Sequence, residues 1–176
     1  MFFHRMVPDF VMQGGGFVNT GLGTTNEHLG QVPARAPITN EFGIGPLISN
    51  AAGTIAMAKT SDPNSATSQF FFNLVNNASS LDQTNNSGGF TVFGRVIKGL
   101  DVMDAIAALR TWNFGGAFSD LPLRDHVQDQ AVFRYEYVNM SVASTPELAY
   151  SVTSSDPALA SPTLSGTDLT LAFGAG

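Results

Sequence analysis

A run near the start of the chain, Phe3-His4-Arg5-Met6-Val7-Pro8-Asp9-Phe10-Val11-Met12-Gln13-Gly14-Gly15, sets one cation and one amide among large apolar side chains and ends on paired glycines. The whole chain of 176 residues carries only eight Lys and Arg, so a basic side chain planted in apolar company is poorly explained as ordinary surface coating. From Met1 to Val142 the same texture continues: short strands with glycine-rich turns, interrupted by one helix around Val102, Ile106 and Leu109. That pattern suits a closed antiparallel β-barrel with a capping helix.

Local signals place the elements. Ile55 and Met57 alternate against small residues and read as a strand, and Asp62-Pro63-Asn64-Ser65 reads as a turn. In Ser68-Gln69-Phe70-Phe71-Phe72-Asn73, neighbours must point to opposite faces. Phe71 then faces one way and Phe70 and Phe72 the other, where they are expected to fill core, together with Phe93. Ala131 to Val138 alternates and is expected to be the last barrel strand. Asp101 and Asp104 are expected in the first turn of the helix, where a carboxylate complements the helix dipole.

Composition bounds the function. At 43% hydrophobic content there is material for one sizeable core. Charged residues are 12%, about half the usual ~25%, and a net charge of −6 argues against a nucleic-acid partner. No run is long and apolar enough for a membrane-spanning helix. With no cysteine there is no thiolate site, and His4, His28 and His126 lack metal-ligand spacing, so neither metal nor cofactor is expected. Gly14-Gly15-Gly16 and Gly21-Leu22-Gly23 read as loop glycines, without the lysine of a phosphate loop or a dinucleotide fingerprint.

Three motifs in order, the run from Phe3 to Gly15, Ser68-Gln69-Phe70-Phe71-Phe72-Asn73 and Phe90-Thr91-Val92-Phe93-Gly94-Arg95-Val96, resemble the cyclophilin family of peptidyl-prolyl cis/trans isomerases, and Gly53 to Gln69 is close to its bacterial pattern. The resemblance runs from Met1 to about Val142. It implies catalytic roles for Arg5 and Gln13, facing the substrate from the family's catalytic strand. It implies an apolar socket for the proline ring built from Phe10, Val11, Phe71, Leu81 and Phe90, with Ala58, Lys59 and Gln69 completing the substrate-binding set. Lys59 takes a place where the family holds substrate through its backbone, so its main chain is expected to matter more than its side chain. The implied partners are proline-containing peptides and unfolded proteins. Ser80 stands where many eukaryotic members carry a tryptophan before the Leu81-Asp82 pair, and weak cyclosporin affinity is expected.

Family members begin with two strands and a helix ahead of the Phe-His-Arg strand, so residues 1–142 are expected to be an isomerase domain lacking that start. Residues 143–176 turn to Ser, Thr, Pro and Ala with no basic residue. Tyr150 to Leu159, followed by Leu164 to Leu171, resembles the opening strands of bacterial immunoglobulin-like repeats, and the alternative is a polar, flexible tail. The parent is expected to be an exported bacterial protein, periplasmic or extracellular. Besides an active isomerase, two further readings stand: a proline-peptide binding module that captures without turnover, and a structural part of a surface protein.

Overall fold

A computed structural model describes residues 1–20, 28–143, 160–165 and 168–173. The chain divides into two compact units, residues 1–141 and 142–176. The first is mainly β, with strands β1 (Arg5–Val7), β2 (Val11–Gly14), β3 (Phe17–Thr20), β4 (His28–Gln31), β5 (Thr54–Met57), β6 (Phe70–Asn73), β7 (Val92–Arg95), β8 (Thr111–Trp112) and β9 (Leu121–Pro122). Its α-helices are α1 (Ala78–Leu81) and α2 (Leu100–Ala107).

Five strands form one antiparallel sheet in the order β1-β2-β6-β5-β7, with β1 and β7 at its edges among the described residues. Its register decides everything that follows. One cross-strand row reads Arg5, Gln13, Phe71, Ala56, Val92, and the next reads Met6, Met12, Phe72, Ile55, Gly94. Residues opposite one another share a face and successive residues do not. The second row therefore looks into a core of Phe3, Met6, Met12, Met103 and Val138, against which Phe70, Phe72 and Ile106 pack. Met103, Ile106 and Ala107 fall three and four apart on α2, so a single stripe of that helix covers the core. Each large apolar side chain fully buried there contributes about 1.5–3 kcal/mol.

Three expectations need correcting. Phe93 is 55% exposed: the β5–β7 pairing shifts register between Ile55 and Ala56, skipping from Gly94 to Val92, and this irregularity turns the edge residue Phe93 away from the core. Ala131–Val138 is no strand. Buried Glu136 accepts hydrogen bonds from the Phe133 amide and the His126 ring, and its own N–H donates to Phe133 O at 2.9 Å, which folds residues 133–136 into a turn. Pairing is confined to its end and beyond, where Leu123 bridges Tyr137 and Phe2 bridges Asn139. Asp101 lies in the first turn of α2, whereas Asp104 lies one turn on.

In the second unit, β10 (Ala160–Ser165) and β11 (Asp168–Phe173) pair as an antiparallel hairpin. Tyr150 to Leu159 and the Gly21-Leu22-Gly23 loop lie outside the described residues.

Candidate active site

The first cross-strand row supplies the site. Arg5 on β1, Gln13 on β2 and Phe71 on β6 stand side by side because consecutive rungs of the sheet put them there. Val11, two residues before Gln13, shares their face. The Val7-to-Val11 connection carries Asp9 at φ 55 and brings Phe10 over the edge of this face. Leu81 arrives at the end of α1 and Phe90 from the loop before β7. Together with Ala58 and Lys59, these residues line a cavity of about 180 Å³. Nine of the ten sequence-named residues thus meet in one concavity. Gln69, the tenth, stands behind it and accepts a 2.7 Å hydrogen bond from Gln13 Nε2.

The floor is apolar and the rim is polar. Val11, Phe71 and Leu81 are buried, packed with Ala56 and Val92, and the Phe71 and Phe90 rings meet edge to face at 5.8 Å. Arg5 is about one-third exposed and its Nε pairs with Asp120 Oδ2 at 3.4 Å. Asp120 is itself fixed: its carbonyl accepts from the Met6 amide at 2.8 Å, and its carboxylate from Ser119 Oγ at 3.1 Å. Since the pair engages Nε, it leaves the two terminal amino groups, with four of the five guanidinium donors, uncommitted to Asp120. Gly15 turns the chain just past the end of β2 at Gly14. Its φ is +79, and a Cβ would come within 2.3 Å of Ser68 O.

Beneath the site lies a polar frame that sequence reasoning missed. Asn50, Asn73 and Asn77 are buried and linked in series, with Asn73 Nδ2 donating to Asn50 Oδ1 at 3.0 Å and Asn77 Nδ2 to Asn73 Oδ1 at 2.8 Å. The two ends reach the socket's aromatic walls: Asn77 Nδ2 donates to Phe10 O at 2.9 Å, and Asn50 Nδ2 to Phe90 O at 2.8 Å. Asp82 anchors Asn50 from outside through its side-chain and main-chain N–H groups, and also accepts from Ser49 Oγ. Burial would raise the Asp82 carboxyl, but these hydrogen bonds favour its charged form and hold it below the ordinary value.

His4 lies behind Arg5, buried, with its ring edge-on to Phe17 at 4.9 Å and its Nδ1 unpartnered. Burial, with Arg5 adding to it, lowers its pKa to about 4, against a smaller opposing contribution from a Gln69 hydrogen bond. It is therefore neutral at physiological pH. Trp112 belongs to a separate cluster with Phe2, Leu121 and Tyr137, where Arg110 covers its ring at 3.9 Å. Ser80 Oγ donates to Asn77 O within the α1 turn.

The sequence profile of the cyclophilin type peptidyl-prolyl cis-trans isomerase/CLD family matches residues 1–127. Among curated relatives, a peptidyl-prolyl cis-trans isomerase of Acinetobacter baylyi is 44% identical over 113 residues, covering 64% of this chain and 54% of the relative. One from Streptomyces antibioticus is 41% identical over 131 residues, covering 73% and 72%. Peptidyl-prolyl cis-trans isomerase B of Escherichia coli is 39% identical over 129 residues, covering 70% of each. The chain spans about half the length of the Acinetobacter relative.

Proposed function

The chain belongs to the cyclophilin-type peptidyl-prolyl cis-trans isomerase family, and we propose that its 180 Å³ cavity accelerates rotation about X-Pro bonds in unfolded or extended polypeptides. The observation that carries this reading is the rung of the sheet that sets Arg5 and Gln13 beside the Phe71 floor.

The reaction makes and breaks no covalent bond. Its barrier is amide resonance, about 18–20 kcal/mol, which leaves uncatalysed exchange on a scale of roughly 10–100 s. Phe10, Val11, Phe71, Leu81 and Phe90 take the pyrrolidine ring, the apolar part of the substrate. As the bond twists, conjugation is lost and the prolyl nitrogen's lone pair localises. The terminal amino groups of Arg5, at the polar rim, donate to that nitrogen more strongly in the twisted state than in either planar one, and only such a difference lowers the barrier. A donor of this kind in a water-poor site is worth about 2.7–4 kcal/mol, by analogy with oxyanion holes. Gln13, held by Gln69, supplies an oriented amide for the carbonyl beside the proline. Ala58 and Lys59 border the path of the extended chain.

The same reading assigns the closed antiparallel barrel of the family as the architecture to which the five-stranded sheet belongs. The sheet order, the α2 cover and the family match support it. The test of function is a protease-coupled assay on an Ala-Ala-Pro-Phe anilide. A rate that rises linearly with protein concentration is expected. Peptide binding without any increase in rate would instead leave a non-catalytic proline-peptide module.

A further inference from the structure

Ser87, Gly88 and Gly89 are three consecutive residues in left-handed conformation, with φ of 51, 74 and 74. A Cβ on Gly89 would lie 2.4 Å from the Phe42 ring, so this backbone has little latitude. Two side chains from elsewhere in the chain take up its carbonyls. Lys59 Nζ donates to Ser87 O and Gly89 O, and Asn40 Nδ2 donates to Gly88 O at 2.9 Å and Gly89 O at 3.4 Å. The next residue is Phe90, a wall of the proline socket. Its N–H donates to Leu81 O at 2.9 Å, and its ring lies 4.9 Å from the Lys59 ammonium. The Lys59 ammonium thus bonds neutral carbonyls in a half-buried setting, and Lys59 lines the same cavity as Phe90.

Resting on the isomerase reading, we propose that the side chain of Lys59 is a positioning residue: its ammonium clamps the Ser87–Gly89 carbonyls and so holds the Phe90 ring in its binding position before substrate arrives. Residue 59 therefore contributes more than the main-chain role its sequence position implies. Three carbonyl oxygens crowded at one turn repel one another, and a cation between two of them offsets this. A neutral side chain would release the loop, and part of the binding energy would then go into ordering Phe90. Such a loss falls on ground state and transition state alike, so it appears in KM and leaves kcat in place.

The assay is the Ala-Ala-Pro-Phe anilide measurement on the full chain, with KM and kcat separated. Lys59→Met keeps the backbone and much of the stem, and is expected to raise KM about tenfold, the low end of what hydrogen bonds to a charged group are worth. Lys59→Arg has donors enough for both carbonyls and is expected to keep KM within about twofold of the parent. A third readout needs no folding of the Met variant. Burial lowers the Lys59 pKa, opposed by Asp62, and Glu41 and Arg5 are the other charged groups lining the two cavities it borders. KM of the parent is expected to climb at alkaline pH below the ordinary lysine range, and that climb is expected to vanish in Lys59→Arg. An unchanged KM in a folded Lys59→Met, or an alkaline climb that persists in Lys59→Arg, overturns the clamp while leaving the isomerase standing. Absence of turnover in the parent overturns the isomerase reading instead.

Discussion

The two faces of one sheet are made by the same five strands, yet one packs beneath a helix and the other opens onto the candidate site. On the face of Met6, Met12 and Phe72, thioethers and aromatic rings interlock under α2. On the face of Arg5, Gln13 and Phe71, apolar filling stops at the floor, and the walls are held by hydrogen bonds from Asn50 and Asn77 to the carbonyls of Phe90 and Phe10. The difference shows how a cavity survives the tendency of apolar residues to collapse. Its walls are fixed through their backbones by groups that are themselves buried and satisfied, so no side chain has to fill the gap.

The comparison breaks most visibly at Phe71, which serves both purposes. Phe71→Ala is expected to cost about 3–5 kcal/mol of stability and to weaken proline-peptide binding, because it removes a buried ring that is also the floor of the socket. Urea denaturation and peptide titration measure the two effects separately.

A second effect, worth about 3 kcal/mol, comes from His4, next to Arg5 in sequence but buried. Its folded pKa of about 4 lies below the ordinary 6.5. Between these values the unfolded chain takes up a proton that the folded protein refuses. This contribution is therefore fully present above about pH 6.5 and is lost as pH falls towards 4. Denaturation midpoints are expected to decline over that window, and His4→Gln is expected to remove most of the slope.

Asn73→Ala tests the frame alone. It leaves buried Asn50 and Asn77 without a shared partner, at about 1–3 kcal/mol for the orphaned groups. Peptide affinity is expected to fall although no residue touching substrate has changed. The smallest stability effect belongs to Gln13→Ala, with a melting temperature near the parent's and a reduced kcat. If Gln13→Ala unfolded the protein, Gln13 would belong with the packed core and not with the site.

The sequence made the candidate site's membership legible through three motifs and the family resemblance they carry, and alternation around Phe71 set that ring apart from Phe70 and Phe72. It did not make the support legible. Asp120 meets Arg5 across more than a hundred residues of chain, and no periodicity announces such a pairing. The asparagine series was hidden because asparagine ordinarily signals a turn. One clue was present: Asn73 follows three phenylalanines in a strand, where asparagine is depleted. Phe93 and the stretch from Ala131 to Val138 were misread for a common reason. Alternation reports a strand's two faces but not whether a bulge or a buried carboxylate will turn the chain, and Glu136 does that in the second case.

The central claim is that Arg5 acts on the twisted bond and not on the fold or the bound peptide. The direct measurement is kcat/KM of Arg5→Ala beside its thermal melt and its peptide affinity. The account predicts a fall of about 10²–10³ in kcat/KM, carried by kcat, with melting and affinity close to the parent's, since Arg5 is partly exposed and its ion pair with Asp120 is a surface one. Near-parental turnover from a folded Arg5→Ala variant would contradict it.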